Sequence, residues 1–167
     1  VTLRNVEVQA NTTGVDAVLA RDFLIENCKF GCPDETYPTF LGTVGLSITG
    51  GGRSSVVIGG NWQNLEKSVV LNNNAPVTFI GGVHEEVRDG PVFDITSSRA
   101  TIIEPEMLLT SGVNTRPIWI SANADWVTIS GGLYFLDSGV PLVSYGAASD
   151  AKLPNYTGPA QTASNIS

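Results

Sequence analysis

Val77-Thr78-Phe79-Ile80-Gly81-Gly82 is answered fifty positions downstream by Val127-Thr128-Ile129-Ser130-Gly131-Gly132. The same pattern opens at Val1, Phe23, Ser55 and Ala100, giving six repeats spaced 22, 32, 22, 23 and 27 residues apart. A period near 22 residues belongs to folds that stack one coil on the next. Counting from each start, the third position holds Leu3, Ile25, Val57, Phe79, Ile102 and Ile129, and the eighth holds Val8, Phe30, Trp62, His84, Met107 and Tyr134. Both columns are large and mostly apolar, as inward positions should be. Between them stand Asn5, Asn27, Gly59-Gly60, Gly81-Gly82, Glu104-Pro105 and Gly131-Gly132, mostly residues that tolerate a bend or a left-handed backbone. A second apolar run closes each repeat: Val15–Leu19, Leu46–Ile48, Val69–Leu71, Val92–Ile95, Ile118–Ile120 and Leu142-Val143.

Each repeat therefore reads as strand, corner, short strand, turn, strand. The strands are short and rich in β-branched and aromatic residues, and no segment keeps the i, i+3, i+4, i+7 spacing of a helix. The expected fold is all-β: a right-handed parallel β-helix of about six coils, with successive coils about 4.8 Å apart. Blades of a propeller would be about twice as long, and the L-x-x-L-x-L frame of leucine-rich repeats is missing. Residues 1–150 are assigned to the coils and 151–167 to an irregular C-terminal exit segment. With no initiator Met and a repeat opening at Val1, the chain reads as a piece of a longer protein.

Composition narrows the function. Nine Lys and Arg against 16 Asp and Glu give a formal net charge of −7, which offers a phosphate backbone no electrostatic footprint, so nucleic acid is not an expected partner. No apolar run approaches the roughly 18 residues of a membrane span and no charged-then-apolar leader opens the chain, so membrane insertion is not expected. Cys28 and Cys32 form a lone C-x-x-x-C, too little for a disulfide scaffold or a zinc site, and are read as a reduced pair. No metal and no cofactor are expected.

Departures from the repeat point to function. The second coil carries about ten extra residues, from about Gly31 to Gly42, which bring Asp34, Glu35, Tyr37 and Phe40 onto a loop. Such a loop either binds a ligand or covers an edge. The fourth position should face outward, yet it holds Ile58, Ile80 and Ile103 on consecutive coils. In the closing strands Val70, Phe93, Trp119 and Val143 are read as one column and Val69, Val92, Ile118 and Leu142 as the next, which would place one apolar set outside. Apolar stripes on both faces call for a cover, and self-association fits them better than a lone fibre.

The V-T-[FI]-x-G-G coils, the His84-Glu85-Glu86 run after one corner and the closing strands at Pro91, Pro117 and Pro141 resemble the β-helical part of bacteriophage tailspike proteins. The likeness spans roughly residues 1–150, and related coils also occur in pectate lyases. It implies a homotrimer of side-by-side solenoids on the virion tail, which grips a bacterial surface polysaccharide, capsule or lipopolysaccharide, and often cleaves it. Some such proteins shed a C-terminal segment after a Ser, which the chain's end at Ser167 would fit, though proteolysis or an arbitrary boundary would fit it equally well.

A glycoside hydrolase uses two carboxylates, about 5–5.5 Å apart for retention and about 6.5–9.5 Å for inversion. Glu85 at the ninth position and Glu106 at the seventh position of the next coil both face outward, with backbones about 8 Å apart. They are the candidate catalytic pair; the alternative is a solvated polar wall. Asn61 and Gln63, one coil earlier, extend a patch able to hydrogen-bond sugar hydroxyls, and Asp34, Glu35 and Tyr37 join them as candidate substrate-binding residues from the insertion. Glu86 is a reserve. Glu66 with Arg88, and Lys67 with Asp89, stack opposite charges on adjacent coils and are read as structural pairs. His84, the lone histidine, sits in the inward column and is read as a core residue with its polar atoms satisfied rather than as a base. A polysaccharide lyase, which needs clustered acids and a basic proton acceptor, is the weaker enzymatic reading. The Asn11-Thr12-Thr13 and Asn155-Tyr156-Thr157 glycosylation sequons are common chance matches. Three classes therefore stand: a depolymerising tailspike, a glycan-binding module without catalysis, and a structural shaft segment.

Overall fold

The structure is a computed structural model, describing residues 1–9, 12–18, 22–32, 42–50, 54–72, 76–87, 90–97, 99–109, 117–121, 123–124, 126–136, 142–145 and 155–157. Among these residues the strands fall into three parallel sheets of seven, six and six strands, and each strand pairs with the equivalent strands of the neighbouring coils. The fourth coil shows the plan. Pro76–Ile80 lies in the first sheet, Val83–Val87 in the second and Phe93–Ile95 in the third. The molecule is a parallel β-solenoid, as the repeat predicts.

The two inward columns fall in the expected register. Leu3, Ile25, Val57, Phe79, Ile102 and Ile129 stack along the first sheet, and Val8, Phe30, Trp62, His84, Met107 and Tyr134 along the second. Between these sheets the fifth position is left-handed in every coil: Asn5, Asn27, Gly59, Gly81, Glu104 and Gly131 have φ between 50° and 66°. Glu104 is the exception to the Gly/Asn rule, at a cost of roughly 1–2 kcal/mol for an L-residue with an ordinary side chain.

The second column is an aromatic ladder. The Phe30 and Trp62 rings stack with centroids 4.2 Å apart, and His84 continues the stack 5.6 Å above Trp62 while meeting the edge of Phe93 at 5.1 Å. These wide rings need room opposite. It comes from the first inward position at the entry to the third sheet, where the register aligns Gly14, Gly45, Ser68, Val92, Pro117 and Leu142. A Cβ at Gly45 would lie 2.9 Å from the Trp62 ring, and one at Gly14 would lie 2.7 Å from the Gly45 carbonyl oxygen. Side-chain volume is thus traded between two facing columns, small opposite large in the second and third coils, as close packing requires.

The closing strands of the fourth and sixth coils run one residue out of the register expected from sequence. Phe93 pairs with Val69 and Ile118, and Ile118 with Val143, so these four point inward together. The outward column is Val70, Asp94, Trp119 and Ser144, not an apolar stripe. Val92 and Leu142, expected on the opposite face from Phe93 and Val143, are buried with them. The physical reason is the corner: two consecutive residues point inward where the chain turns into the third sheet, and alternation begins only after them. The outward stripe Ile58, Ile80, Ile103 on the first sheet does form, with Ile80 39% exposed.

Two further differences concern the ends and the charges. Asn155–Thr157, inside the segment read as an irregular exit, adds a seventh strand to the first sheet by pairing with Trp126–Thr128. Arg88 and Asp89 lie outside the described residues. Among those described, Lys67 Nζ meets Asp94 Oδ2 at 2.7 Å, and Glu66 Oε2 accepts the Gly42 N–H. Cys28 and Cys32 are buried free thiols.

Candidate functional site

The strands of the second sheet expose two columns on either side of the inward ladder. Pairing registers make the seventh-position column Glu7, Lys29, Asn61, Val83, Glu106 and Leu133. The ninth-position column is Gln9, Gly31, Gln63, Glu85, Leu108 and Phe135. All the candidates Asn61, Gln63, Glu85 and Glu106 therefore share one face.

Glu85 and Glu106 meet on a diagonal. Val83 pairs with Glu106 and Glu85 with Leu108, so each acid has an apolar side chain directly across the coil step and the other acid across the corner of the square. Their backbones are separated by a two-residue step and a coil step, about 8 Å. Both side chains are half-buried, and among the described residues neither carboxylate has an ion-pair or hydrogen-bond partner. Such a pair can bind hydroxyl donors, and by side-chain reach it can span either carboxylate separation used in glycoside hydrolysis.

Toward the first coil the face is polar. Gln9 Nε2 donates to Glu7 Oε1 at 2.9 Å, and Lys29 Nζ lies 3.6 Å from the same carboxylate. That hydrogen bond and then the Lys29 charge hold the Glu7 carboxyl below its ordinary range. Asn61 is half-buried with its Oδ1 sealed from solvent and without a donor. A buried acceptor left unmatched is costly, and because it is sealed this oxygen is not the part of Asn61 that a ligand meets. Gly31, between Gln9 and Gln63 in the ninth-position column, is buried, and a Cβ there would sit 3.2 Å from the Gln63 carbonyl oxygen, so the backbones pack closely at this step.

Asp34, Glu35, Tyr37 and Phe40 lie outside the described residues. What is described is where their loop departs and returns. It leaves after Gly31 and Cys32, directly beside Gln63, and returns at Gly42 and Thr43, which are tied to Glu66: Gly42 N–H donates to its carboxylate, and Glu66 N–H donates to Thr43 Oγ1 at 3.1 Å.

Toward the last coil the same face turns apolar, a feature the search for acids and amides passes over. Leu133 follows Glu106, and Phe135 follows Leu108, with Phe135 48% exposed. The signal was in the columns: Phe135 stands at an outward ninth position.

No protein family, curated protein or solved structure matches this chain. What the fold bears out of the tailspike likeness is the parallel β-solenoid, so the chemistry of the face has to carry the functional reading.

His84 stands directly behind Glu85 but on the other side of the sheet. It is buried between Trp62 and Phe93, and burial pushes its imidazole down to about 3, so the ring is neutral at ordinary pH. Its Nδ1 is buried without a hydrogen-bond partner, which corrects the expectation of a fully satisfied core histidine. Glu86, the reserve acid, has φ 50°, like Asn64 at φ 54° on the coil before. This left-handed step resets the alternation and turns Val87 into the core. Among the described residues no three His, Cys, Asp or Glu side chains gather as metal ligands would.

Proposed function

We propose that this chain is a tailspike-type β-solenoid that binds a bacterial surface polysaccharide, capsule or lipopolysaccharide, along the outer face of its second sheet, and that Glu85 and Glu106 are the acid pair of a glycoside hydrolase acting on it. The observation that carries the reading is the diagonal of two carboxylates, without an ion-pair or hydrogen-bond partner among the described residues, next to Asn61 and Gln63 on the same ladder. One carboxyl would protonate the glycosidic oxygen as the bond to the anomeric carbon breaks. The other would activate the attacking water or attack that carbon itself. Gln63 and the solvent-facing part of Asn61 would hydrogen-bond sugar hydroxyls.

A homotrimer on the virion tail belongs to the same proposal. Its support is the outward stripe Ile58, Ile80 and Ile103 on the first sheet, with half-buried Leu24 and Val56 beside it. That stripe alone also favours a second reading, a structural shaft segment with no ligand.

The test compares the full chain with a Glu85→Gln, Glu106→Gln double variant on purified capsular and lipopolysaccharide O-chain polymers. Release of reducing ends by the parent and at least about a hundred-fold less by the variant is expected, given the size of acid–base contributions. Equal release by both removes the site assignment, and new absorbance of an unsaturated uronate assigns a lyase instead. No binding to any polymer leaves the shaft.

A further inference from the structure

The corner between the first and second sheets is left-handed in every coil, and five of its six residues are Gly or Asn. The sixth is Glu104. Its side chain gives the fold nothing in return for that conformation: it is exposed, and among the described residues it has no hydrogen-bond or ion-pair partner, whereas Glu7, Glu26 and Glu66 each have one. Glycine holds the same corner without strain, as Gly81 and Gly131 do on the coils below and above. Where a sequence breaks a local rule without structural compensation, a functional role is the expected reason. Building on the polysaccharide reading above, we propose that Glu104 is a specificity-determining residue of the same site: with Glu85 and Glu106 it accepts hydroxyl donors from a neutral sugar and turns away uronates and other acidic sugars.

Position, access and charge lead there. Glu104 and Glu106 flank the buried Pro105 on one coil, so the corner acid stands at the first-sheet edge of the Glu85–Glu106 diagonal. The ridge around it is bare. Gly81 has nothing within 4 Å of where a Cβ would be, and a Cβ on Gly131 would sit 3.0 Å from Glu104 Cγ. Bare backbone on both sides gives the side chain its passage and leaves the carboxylate open to a ligand. The charge there is of one sign. In the fourth to sixth coils the fifth, seventh and ninth positions carry Glu85, Glu104 and Glu106 and no Lys or Arg. A carboxylate only accepts hydrogen bonds, and it accepts them strongly, which suits sugar hydroxyls. A carboxylate on the sugar would meet like charge with no cation at these positions, and such repulsion is how a site rejects a wrong partner.

The discriminating experiment sets the full chain and its Glu104→Gly and Glu104→Asn variants against purified bacterial polysaccharides of known repeat structure, neutral ones and uronate-containing ones, with a thermal melt of each protein. Both replacements suit a left-handed corner, so both variants are expected to melt no lower than the parent. The parent is expected to bind neutral polymers, and each variant to bind them about ten-fold more weakly, as the loss of a hydrogen bond to a charged group implies. Uronate polymers should bind the parent more weakly than neutral ones do, and that gap should narrow when Glu104 is replaced. Unchanged affinity in the variants, melting temperatures below the parent's, or a parent that prefers uronate polymers overturns the inference and leaves the polysaccharide reading standing. Binding to no polysaccharide at all overturns both.

Discussion

The inward and outward positions of the second sheet lie on the same strands, one residue apart, yet obey different rules. Inward, Phe30, Trp62, His84 and Met107 are all buried, and the first three stack ring on ring. Outward, the neighbours on those same strands are Lys29, Gly31, Asn61, Gln63, Val83, Glu85, Glu106 and Leu108, with no common size, charge or polarity. An inward side chain must fill the space left by the coils above and below it. An outward one has only the ladder beneath it, so it is free to carry chemistry. In a solenoid, then, regularity marks the fold and irregularity on an exposed column marks the site.

The comparison breaks most easily from inside. Trp62→Ala should cost about 3–5 kcal/mol, because it removes the middle ring of the stack and the filler opposite Gly45. Denaturant unfolding measures it, and a loss below about 1 kcal/mol would mean the ladder does not hold the coils. Acid is the next lever. The unfolded chain binds a proton at the histidine near pH 6.5, which the folded chain refuses until about pH 3. Stability from this group is therefore full above pH 6.5 and is lost as pH falls across that interval, by about 2–3 kcal/mol at pH 4.5. His84→Met, which copies Met107 in the same column, should flatten that part of the stability–pH curve. An unchanged slope would place the acid sensitivity elsewhere. The smallest effect is expected outside: Gln63→Ala and Glu106→Gln should each change stability by no more than about 0.5 kcal/mol. Losses as large as that of Trp62→Ala would mean that both faces of the sheet are structural.

Much of this fold could be read from the sequence because a stacked coil writes its inward positions at a fixed offset. Leu3 to Ile129 and Val8 to Tyr134 fall in register without adjustment. The corner of the third sheet was less legible, since period-two alternation does not hold where Val92 and Phe93 both turn inward. Charge pairing was not legible: the expected partners Arg88 and Asp89 lie outside the described residues, and the pairs Arg4–Glu26 and Lys29–Glu7 were passed over. Lys67 reaches Asp94, a residue further along the next coil, and a position-by-position comparison does not look there. For the site, the diagonal of Glu85 and Glu106 followed from the offsets, but Phe135 was passed over because acids and amides defined the search. The unmatched Asn61 Oδ1 depends on the packing around one atom and has no sequence signature.

The facing columns Gly14 to Leu142 and Val8 to Tyr134 bear on how such a chain can be lengthened or rearranged. Because a broad ring in one coil needs a bare backbone in its neighbour, the coils are not interchangeable tiles. Copying the third coil onto itself would put Ser68 where Gly45 now makes way for the Trp62 ring. A graft that respects the order must move the second and third coils together, and their joint exchange is the natural unit for recombining this solenoid with another.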